Sequence, residues 1–309
     1  MAPLARQLEE RIRAVVKGKN AVVRQALACV FAEGHLLIED VPGVGKTTLA
    51  LSLAKTLGLS LQRIQFTADL LPADILGVSV FNSRDNTFEF KPGPIFHHII
   101  LADEINRSSP KTQSALLEAM SERQVTTDQS TRPLPRPFFV IATQNPIEHH
   151  GTFPLPESQR DRFLMRLTMG YPDAADELEI LRNAIDAHAA ERLQAVTDAA
   201  GIRAGIDAVR AVRVDGALDE YILRIVRETR SSPYLDLGVS PRGALALRRV
   251  AQANAYLDAR DFVTPDDIKS LAVSVLGHRV LPKGVDLGAD ADPGRRVLED
   301  ILARTPVPL

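Results

Sequence analysis

The nine residues from Asp40 to Thr48 combine glycines, a lysine and threonines at a spacing suited to binding phosphate. They read Asp-Val-Pro-Gly-Val-Gly-Lys-Thr-Thr. Glycines allow backbone N–H groups to turn toward an anion, and the first turn of a following helix attracts negative charge. In such loops the lysine reaches the β- and γ-phosphates of a nucleotide, and the next hydroxyl ligates Mg²⁺. The sequence thus predicts a nucleotide-binding loop with Thr47 on the metal. Its predicted contacts are Pro42, Gly43, Val44, Gly45, Lys46, Thr47 and Thr48.

The segments on either side of this loop support that interpretation. Leu36, Leu37 and Ile38 form a short apolar run typical of a buried strand, and apolar residues recur at helical spacing over residues 49–57. One position departs from the G-x-x-x-x-G-K-[ST] pattern, because Asp40 stands where the first glycine is expected. The alternative is an ordinary glycine turn followed by a surface lysine.

Two later apolar runs also end in polar residues. Asp103 and Glu104 follow the run 99–102, and Asn145 follows the run 138–142. Open α/β sheets bind ligands at the edge formed by the carboxyl ends of their strands. Asp103 is suited to holding Mg²⁺ through water, Glu104 to polarising an attacking water, and the Asn145 amide to holding a γ-phosphate or a water. The alternative for the two acids is a solvated strand end, and for Asn145 it is an asparagine that starts a turn before Pro146.

Other residues are candidates on less evidence. Arg160 and Arg162 flank Asp161 just before an apolar run. A planar, permanently charged guanidinium there suits a neighbour's phosphate, although the three residues also read as a surface ion-pair cluster. Val16 and Gly18 stand in a glycine-containing hinge between two amphipathic helices. Such a hinge often borders the base of a nucleotide, but a plain turn between helices explains it equally.

The pattern of apolar residues divides the chain near residue 172. Before that point apolar strands alternate with amphipathic helices, and two turn-rich hairpins interrupt the alternation at about 75–93 and 124–137. After it the pattern is helical, with a connector over 173–214 and further amphipathic helices over 215–309. We predict an α/β core over 1–172, with a parallel five-stranded sheet between helices, followed by a small all-α domain.

Bulk properties exclude several classes of protein. The 309 residues are 45% hydrophobic and 25% charged, which are ordinary globular values. The net charge of −2 gives no bulk attraction to nucleic acid or anionic lipid. No apolar run approaches the ~18 residues of a membrane span, and the N-terminus lacks the continuous apolar core of a signal peptide. The single cysteine, Cys29, excludes an internal disulfide and a cysteine zinc cluster. We expect a soluble, cytoplasmic protein.

In their order along the chain, these motifs resemble the AAA+ ATPases, which are P-loop NTPases, and specifically the MoxR family of the helix-2-insert clade. The resemblance covers nearly the whole chain and lies chiefly in residues 37–48, 100–107, 142–146, 155–163 and 240–243. It implies a P-loop NTPase core and an all-α lid. The implied roles are Walker A for Lys46 and Thr47, Walker B for Asp103 and Glu104, sensor 1 for Asn145, arginine finger for Arg162 with Arg160 as the competing residue, and sensor 2 for Arg242.

The resemblance also implies how such a protein works. It implies a homo-oligomer, a hexameric ring, that hydrolyses ATP with Mg²⁺ at subunit interfaces and remodels client protein complexes. The resemblance further implies a partner with a von Willebrand factor A domain. It also implies a role in complex maturation or in metal-cofactor insertion. The helix-2 insert at about 75–93 and the pre-sensor hairpin at about 124–137 would face the ring pore and touch the client.

Two other functions stay open at this point. The first is a nucleotide-gated adaptor that hydrolyses slowly. The second is a DNA-acting AAA+ motor, because relatives of this clade act on DNA and basic residues in or near the hairpins would make a basic pore. These residues are Arg84, Lys91, Arg123, Arg132 and Arg136. Acidic residues are interleaved with them and the net charge is −2, so nucleic acid is the less favoured partner.

Overall fold

The computed structural model describes residues 2–127, 130–146, 151–182, 189–284 and 292–308. Parts of the predicted second hairpin, connector and helical domain, at 128–129, 183–188 and 285–291, lie outside these ranges. The described helices are α1 (Ala2–Arg13), α2 (Asn20–Phe31), α3 (Lys46–Leu57), α4 (Pro72–Leu76), α5 (Pro110–Glu122), α6 (Glu157–Arg160), α7 (Ala174–Arg182), α8 (Ala199–Arg210), α9 (Gly216–Ser231), α10 (Pro241–Leu257), α11 (Pro265–Leu276) and α12 (Pro293–Arg304). The described strands are β1 (Leu36–Glu39), β2 (Leu61–Gln65), β3 (Gly77–Asn82), β4 (Thr87–Pro92), β5 (Ile99–Asp103), β6 (Gln124–Thr127), β7 (Ser130–Pro133), β8 (Phe139–Gln144), β9 (Met165–Leu167), β10 (Leu235–Leu237) and β11 (Leu281–Pro282).

Five of these strands form one parallel sheet in the order β2-β5-β8-β1-β9. The predicted five-stranded parallel sheet is therefore confirmed. The last strand begins later than the apolar run 163–165 indicated, because its pairing with β1 starts at Leu36 opposite Met165. Phe163 and Leu164 precede the strand, and the Leu164 N–H donates to the carbonyl of His35 at 2.8 Å.

Alternate residues of the central strands face opposite sides of the sheet, as strand geometry requires. In β1, Leu36 and Ile38 join one buried apolar cluster and Leu37 joins another. The smaller cluster lies under α4 and α5. The larger one includes residues of α1, α2 and α3 and continues into α8, α9, α10, α11 and α12. The sheet and the helical segment that follows it thus share a continuous apolar interior.

Serine side chains cap the starts of α5 and α10. Ser109 Oγ accepts from the Thr112 N–H at the start of α5, and Ser240 Oγ accepts from a backbone N–H at the start of α10. At the start of α2, Lys19 is the N-cap and Asn20 is already helical. The Lys19 carbonyl accepts the Val23 N–H at 2.9 Å, which is the first helical hydrogen bond.

The region predicted as a connector contains a packed helix. Asp198 Oδ1 accepts the Gly201 N–H at 2.8 Å and caps α8, which lies against α2 and α10. The later helical region also holds one small antiparallel pairing, between β10 and β11, that the sequence pattern did not indicate. The predicted boundaries of core, connector and lid stay predictions.

Two hairpins lie in the segments that we predicted to be turn-rich hairpins. The first pairs β3 with β4 and exposes apolar side chains, with Phe88 73% exposed and its ring 5.3 Å from that of Phe81. The second pairs β6 with β7. The Arg132 guanidinium of β7 lies 3.8 Å from the centre of the Phe90 ring of β4, so the hairpins contact each other.

None of the helices in the described ranges is long and apolar enough to cross a membrane.

Candidate active site

The loop between β1 and α3 is shaped by two glycines. Gly43 and Gly45 have φ angles of 84° and 94°, in the left-handed region that favours glycine. Gly45 is the N-cap residue of α3, so the helix begins with its first N–H groups directed at the loop. Among the described residues, no atom lies within 4 Å of the position that a Gly43 Cβ would take. The space beside the loop is therefore open to a ligand.

A cavity of about 400 Å³ opens at this loop and gathers side chains from the ends of neighbouring strands. It is lined by Pro42, Gly43, Gly45, Lys46, Thr47, Thr48, Arg63, Asp103, Glu104 and Asn145. The structure thus brings together most of the predicted phosphate and metal contacts, both acids and Asn145. Val44 does not line the cavity, because its side chain packs into the larger apolar cluster.

Lys46 is held close to the loop by its own backbone. Its Nζ donates to the Asp40 carbonyl at 2.8 Å and to the Val41 carbonyl at 3.2 Å. Partial burial lowers the pKa of Lys46, and the nearby carboxylates of Asp103, Asp40 and Glu104 oppose that shift. An anionic ligand in the cavity would favour the charged ammonium further.

A single hydroxyl connects the two acids that follow β5. Thr143 Oγ1 donates to Asp103 Oδ1 at 2.6 Å and accepts the Glu104 N–H at 2.9 Å. The second oxygen of Asp103 accepts from Arg63, with Nη2 at 2.6 Å and Nε at 3.1 Å. The two oxygens of Asp103 therefore have fixed directions, which suits this side chain to ordering a hydrated metal ion.

Glu104 occupies a backbone conformation that L-residues rarely adopt, with φ 56° and ψ 49°. Its carboxylate accepts from Gln65 Nε2 at 2.8 Å and pairs with Arg107 Nε at 3.2 Å. Such a left-handed residue costs roughly 1–2 kcal/mol and persists only when its surroundings hold it. The contacts of Glu104 aim its carboxylate into the cavity beside Asp103.

Asp40, which replaces the expected first glycine, anchors the loop. Its carboxylate accepts the N–H groups of Met169 and Gly170, both at 2.6 Å, and that of Val41 at 2.8 Å. The side chain is buried. Asp40 therefore ties the start of the phosphate loop to the segment after β9, and its backbone carbonyl also holds Lys46.

Val16 and Gly18, the predicted base-side contacts, lie outside this cavity. Val16 is buried in the larger apolar cluster, and the Asp176 side chain of α7 lies directly against Gly18. Lys17 pairs with Glu179 at 3.0 Å. The hinge thus rests on the N-terminal part of α7, and its role in binding a base stays a prediction.

The predicted arginines lie at a second, separate cavity. It measures about 270 Å³ between the sheet domain and α10, and both Arg162 and Arg242 line it, whereas Arg160 does not. Arg162 Nη1 donates to the Leu117 carbonyl at 2.8 Å and to Ser121 Oγ at 3.0 Å. Neither Arg162 nor Arg242 lines the cavity of the phosphate loop.

The charges around this second cavity are unequal. Arg123 pairs with Glu33 at 2.9 Å, and Arg279 pairs with Asp161 at 2.8 Å. Within the described part of the chain, three further arginines at the cavity form no ion pair with a carboxylate; they are Arg162, Arg242 and Arg249. The cavity is therefore suited to an anion other than the carboxylates of the described residues.

Sequence reasoning missed Arg63, Gln65 and Thr143, which hold the two acids. The alternation of polar and apolar residues in β2 was a signal for the first two, since Arg63 and Gln65 share one face of that strand. Thr143 stands two residues before Asn145 in the same strand end. Its hydroxyl could not be assigned to Asp103 without the pairing of β5 with β8.

The donor set of the first cavity fits a nucleotide with Mg²⁺. The Thr47 hydroxyl and the Asp103 carboxylate are the hard oxygen ligands that Mg²⁺ prefers, and it keeps several waters in such sites. Lys46 and the open glycine loop suit the phosphates.

Comparisons with known proteins agree with this geometry. The model of the ATPase family associated with various cellular activities (AAA) matches residues 35–165, and that of the AAA lid domain matches residues 227–300. The chain is 48% identical to the uncharacterized protein YeaC of Bacillus subtilis, over 99% of this chain and 96% of that protein. It is 38% identical to the chaperone MoxR1 of Mycobacterium tuberculosis, over 87% of this chain and 74% of that protein.

A solved structure of a presumed ATPase from Cytophaga hutchinsonii has the same fold. It superposes with a TM-score of 0.91 at 38% sequence identity, over 100% of this chain and 96% of that one. With the nucleotide-binding loop, the paired acids and these relatives together, the chain belongs to the MoxR family of AAA+ ATPases and is an ATP hydrolase.

Proposed function

We propose that the chain is a subunit of a hexameric ring in which ATP binds between neighbouring subunits and its hydrolysis remodels client protein complexes. One observation carries this proposal. The cavity with Lys46, Asp103 and Glu104 and the cavity with Arg162 and Arg242 are separate within a chain. Each is chemically incomplete, since the first lacks the predicted finger and Arg162 and Arg242 of the second form no ion pair with a carboxylate of the described residues. A neighbouring copy of the chain supplies what each cavity lacks.

In the proposed reaction, the first cavity binds the nucleotide and prepares the water. The N–H groups of the glycine loop and Lys46 hold the phosphates. Thr47 and Asp103 hold Mg²⁺, which neutralises charge on the phosphate oxygens when bound. Glu104 orients the attacking water and accepts its proton, and the Asn145 amide fixes the water or the γ-phosphate. The left-handed backbone of Glu104 serves this role by directing the carboxylate into the cavity.

The second cavity acts on the neighbour's nucleotide. Arg162 and Arg242 line it together, so both approach the same phosphate group from the adjacent subunit. An arginine supplied in trans contributes on the order of 10³–10⁵ in rate, and turnover then requires assembly. Arg160 is the weaker candidate for the finger, because it lies off the cavity and its guanidinium approaches Glu157 at 3.4 Å.

The hairpins supply the surface for the client. The first exposes Val78, Val80, Phe81 and Phe88, and Arg132 of the second packs on it. Exposed apolar side chains on a projecting hairpin suit transient contact with unfolded or partly assembled protein. A relative at 38% identity bears the name chaperone. The proposal includes a partner with a von Willebrand factor A domain and, as one form of maturation, insertion of a metal cofactor.

The basic residues near the hairpins do not favour a DNA-acting motor. Lys91 pairs with Glu89 at 3.3 Å, Arg123 pairs with Glu33, and Arg132 lies on an aromatic ring. These cations are already engaged within the chain, which lowers their value as phosphate contacts.

The test compares ATP hydrolysis with assembly. Specific activity and oligomer mass are measured across protein concentrations for the wild type, Glu104→Gln and Arg162→Ala, with Arg160→Ala as the matched control. We expect wild-type activity to rise with assembly, and the first two variants to bind ATP but lose turnover. Activity that is independent of concentration and of Arg162 would contradict the shared site. The slowly hydrolysing adaptor would then be the better account.

A further inference from the structure

Residues 161–164, which we call the finger loop, carry Arg162 between α6 and β9. The backbone carbonyls of this loop are held from the helical domain. Arg279, which follows α11, donates to the Phe163 carbonyl at 2.6 Å, the Leu164 carbonyl at 3.1 Å and the Asp161 carbonyl at 3.4 Å. Its Nε also donates to the Asp161 carboxylate at 2.8 Å. One guanidinium thus binds the residues on both sides of Arg162.

The residue before Arg279 contacts the same loop. His278 is fully buried, and its Nε2 lies 3.0 Å from the Phe163 carbonyl. Burial, with Arg279 adjacent, lowers the pKa of His278 well below its usual range, so the imidazole is neutral and Nε2 donates. The Phe163 carbonyl therefore receives hydrogen bonds from two consecutive side chains of the helical domain.

The charged guanidinium of Arg279 is buried, which is unusual for an arginine. Only 3% of its side chain is exposed. Burial lowers the pKa of its guanidinium, and Asp161 opposes the shift. Removing a guanidinium from water is costly unless its donors are satisfied, and here the finger loop together with the Val275 carbonyl satisfies them. An apolar residue of similar volume would avoid that cost, so we explain the arginine by the carbonyl groups that its guanidinium binds.

Both the side chain of Arg162 and the backbone on either side of it are held by hydrogen bonds. Its own guanidinium rests on the Leu117 carbonyl and on Ser121 at the end of α5. Its backbone neighbours are held by Arg279. Arg242 lies in α10 of the same helical domain and lines the same cavity, so this domain both carries Arg242 and holds the backbone on either side of Arg162.

We propose that Arg279 is a positioning residue for the arginine finger, and that through it the helical domain of each subunit sets where Arg162 enters the neighbour's nucleotide site. This inference rests on the proposed function, because it requires that Arg162 act in trans. It predicts an effect confined to the subunit that donates the finger.

Mixed rings separate the two subunits of a shared site. A donor chain carries Glu104→Gln, so its own site is inactive and its finger intact. An acceptor chain carries Arg162→Ala, so its site is intact and its finger absent. Each alone is expected to be inactive, and mixing restores hydrolysis at interfaces where the donor's finger meets the acceptor's site. Arg279→Lys, which keeps the charge and loses the guanidinium fork, is then placed in either chain.

The expected result is asymmetric. Arg279→Lys in the donor lowers the mixed activity about tenfold or more, since a displacement of ~1 Å in catalytic geometry is this costly. In the acceptor, whose finger is already absent, it changes the mixed activity less than about twofold on the same reasoning. Asp161→Asn is the second variant and should show the same asymmetry with less effect on folding. Nucleotide affinity and thermal unfolding are measured for every chain.

Arg260→Lys is the matched control. Arg260 also lies in the helical domain and binds a buried carboxylate, Asp267 at 2.6 Å, but does not contact the finger loop. We expect it to affect donor and acceptor equally. Equal loss from Arg279→Lys in both chains would mark a purely structural role and overturn the proposal, as would no loss in either. If the unmodified donor and acceptor fail to restore activity, the shared site itself is wrong and this proposal falls with it.

Discussion

Replacing Thr143 by valine removes one hydroxyl from the active site and keeps the shape of the side chain. That hydroxyl donates to Asp103 and accepts the backbone N–H of Glu104. Thr143 is fully buried, so water does not replace it. The change therefore tests whether the two acids depend on a shared hydrogen-bonding partner.

The magnitude follows from the two hydrogen bonds. The bond to the charged Asp103 is worth about 1.5–3 kcal/mol and the bond from the Glu104 N–H about 0.5–1.5 kcal/mol. Glu104 regains roughly 1–2 kcal/mol if it leaves its left-handed conformation. We therefore expect a net loss of about 1–3 kcal/mol in the free energy of unfolding. Because the Glu104 carboxylate moves, kcat should fall by about 10²-fold.

The assay combines denaturant unfolding, nucleotide affinity and ATP hydrolysis at a concentration where the wild type is fully assembled. Thr143→Ser is the matched control, since it keeps the hydroxyl and loses only a methyl group. It should retain most of kcat. Equal loss in the serine and valine variants, or unchanged kcat in the valine variant, would refute the shared-hydroxyl account.

Three other perturbations test the surroundings of the two cavities. Asp40→Asn leaves a backbone N–H without a good acceptor and should cost about 1–3 kcal/mol of stability and weaken nucleotide binding, whereas exposed Asp236→Asn should do neither. Burial lowers the pKa of His35 to about 4, below its unfolded value, so its stabilising effect is lost as pH falls from about 6.5 toward 4. The wild type should lose about 2 kcal/mol more than His35→Gln between about pH 7 and pH 5, and equal slopes would contradict this. Gly34→Ala places a Cβ 2.1 Å from the Leu164 side chain and should destabilise by about 1–3 kcal/mol, with recovery in the double variant carrying Leu164→Ala.

Local signals were enough to predict the strand, glycine loop and helix around Lys46 and the strand that ends at the two acids. A strand, a glycine loop and a helix are contiguous in sequence, so Lys46 and Thr47 could be assigned from their neighbours alone. The sheet followed from apolar runs, with errors of one to a few residues at strand ends. The contacts of Asp40 with Met169 and Gly170 could not be predicted, because 129 and 130 positions separate them along the chain.

Helix α8 shows packing that a local sequence pattern does not reveal. Its segment contains Gly201 and Gly205, which lower helix propensity by about 1 kcal/mol each. Gly205 is nonetheless needed, because a Cβ there would lie 2.5 Å from the Phe31 ring of α2. Close packing between two helices therefore outweighs the local preference. The role of Arg279 could not be predicted from local sequence either, because its partners in the finger loop are 115 to 118 positions away.

The larger apolar cluster is continuous from the sheet into α8, α10 and α11. This continuity limits how far the helical domain can move relative to the sheet. Turning the helical domain against its own sheet would separate packed side chains at roughly 25 cal/mol for every Å² of apolar surface exposed. Across the described residues, this shared interior joins the sheet firmly to the helical domain. In the proposed ring, we therefore expect movement mainly at the contacts between subunits, with the phosphate-loop cavity and the arginine cavity of each chain moving together.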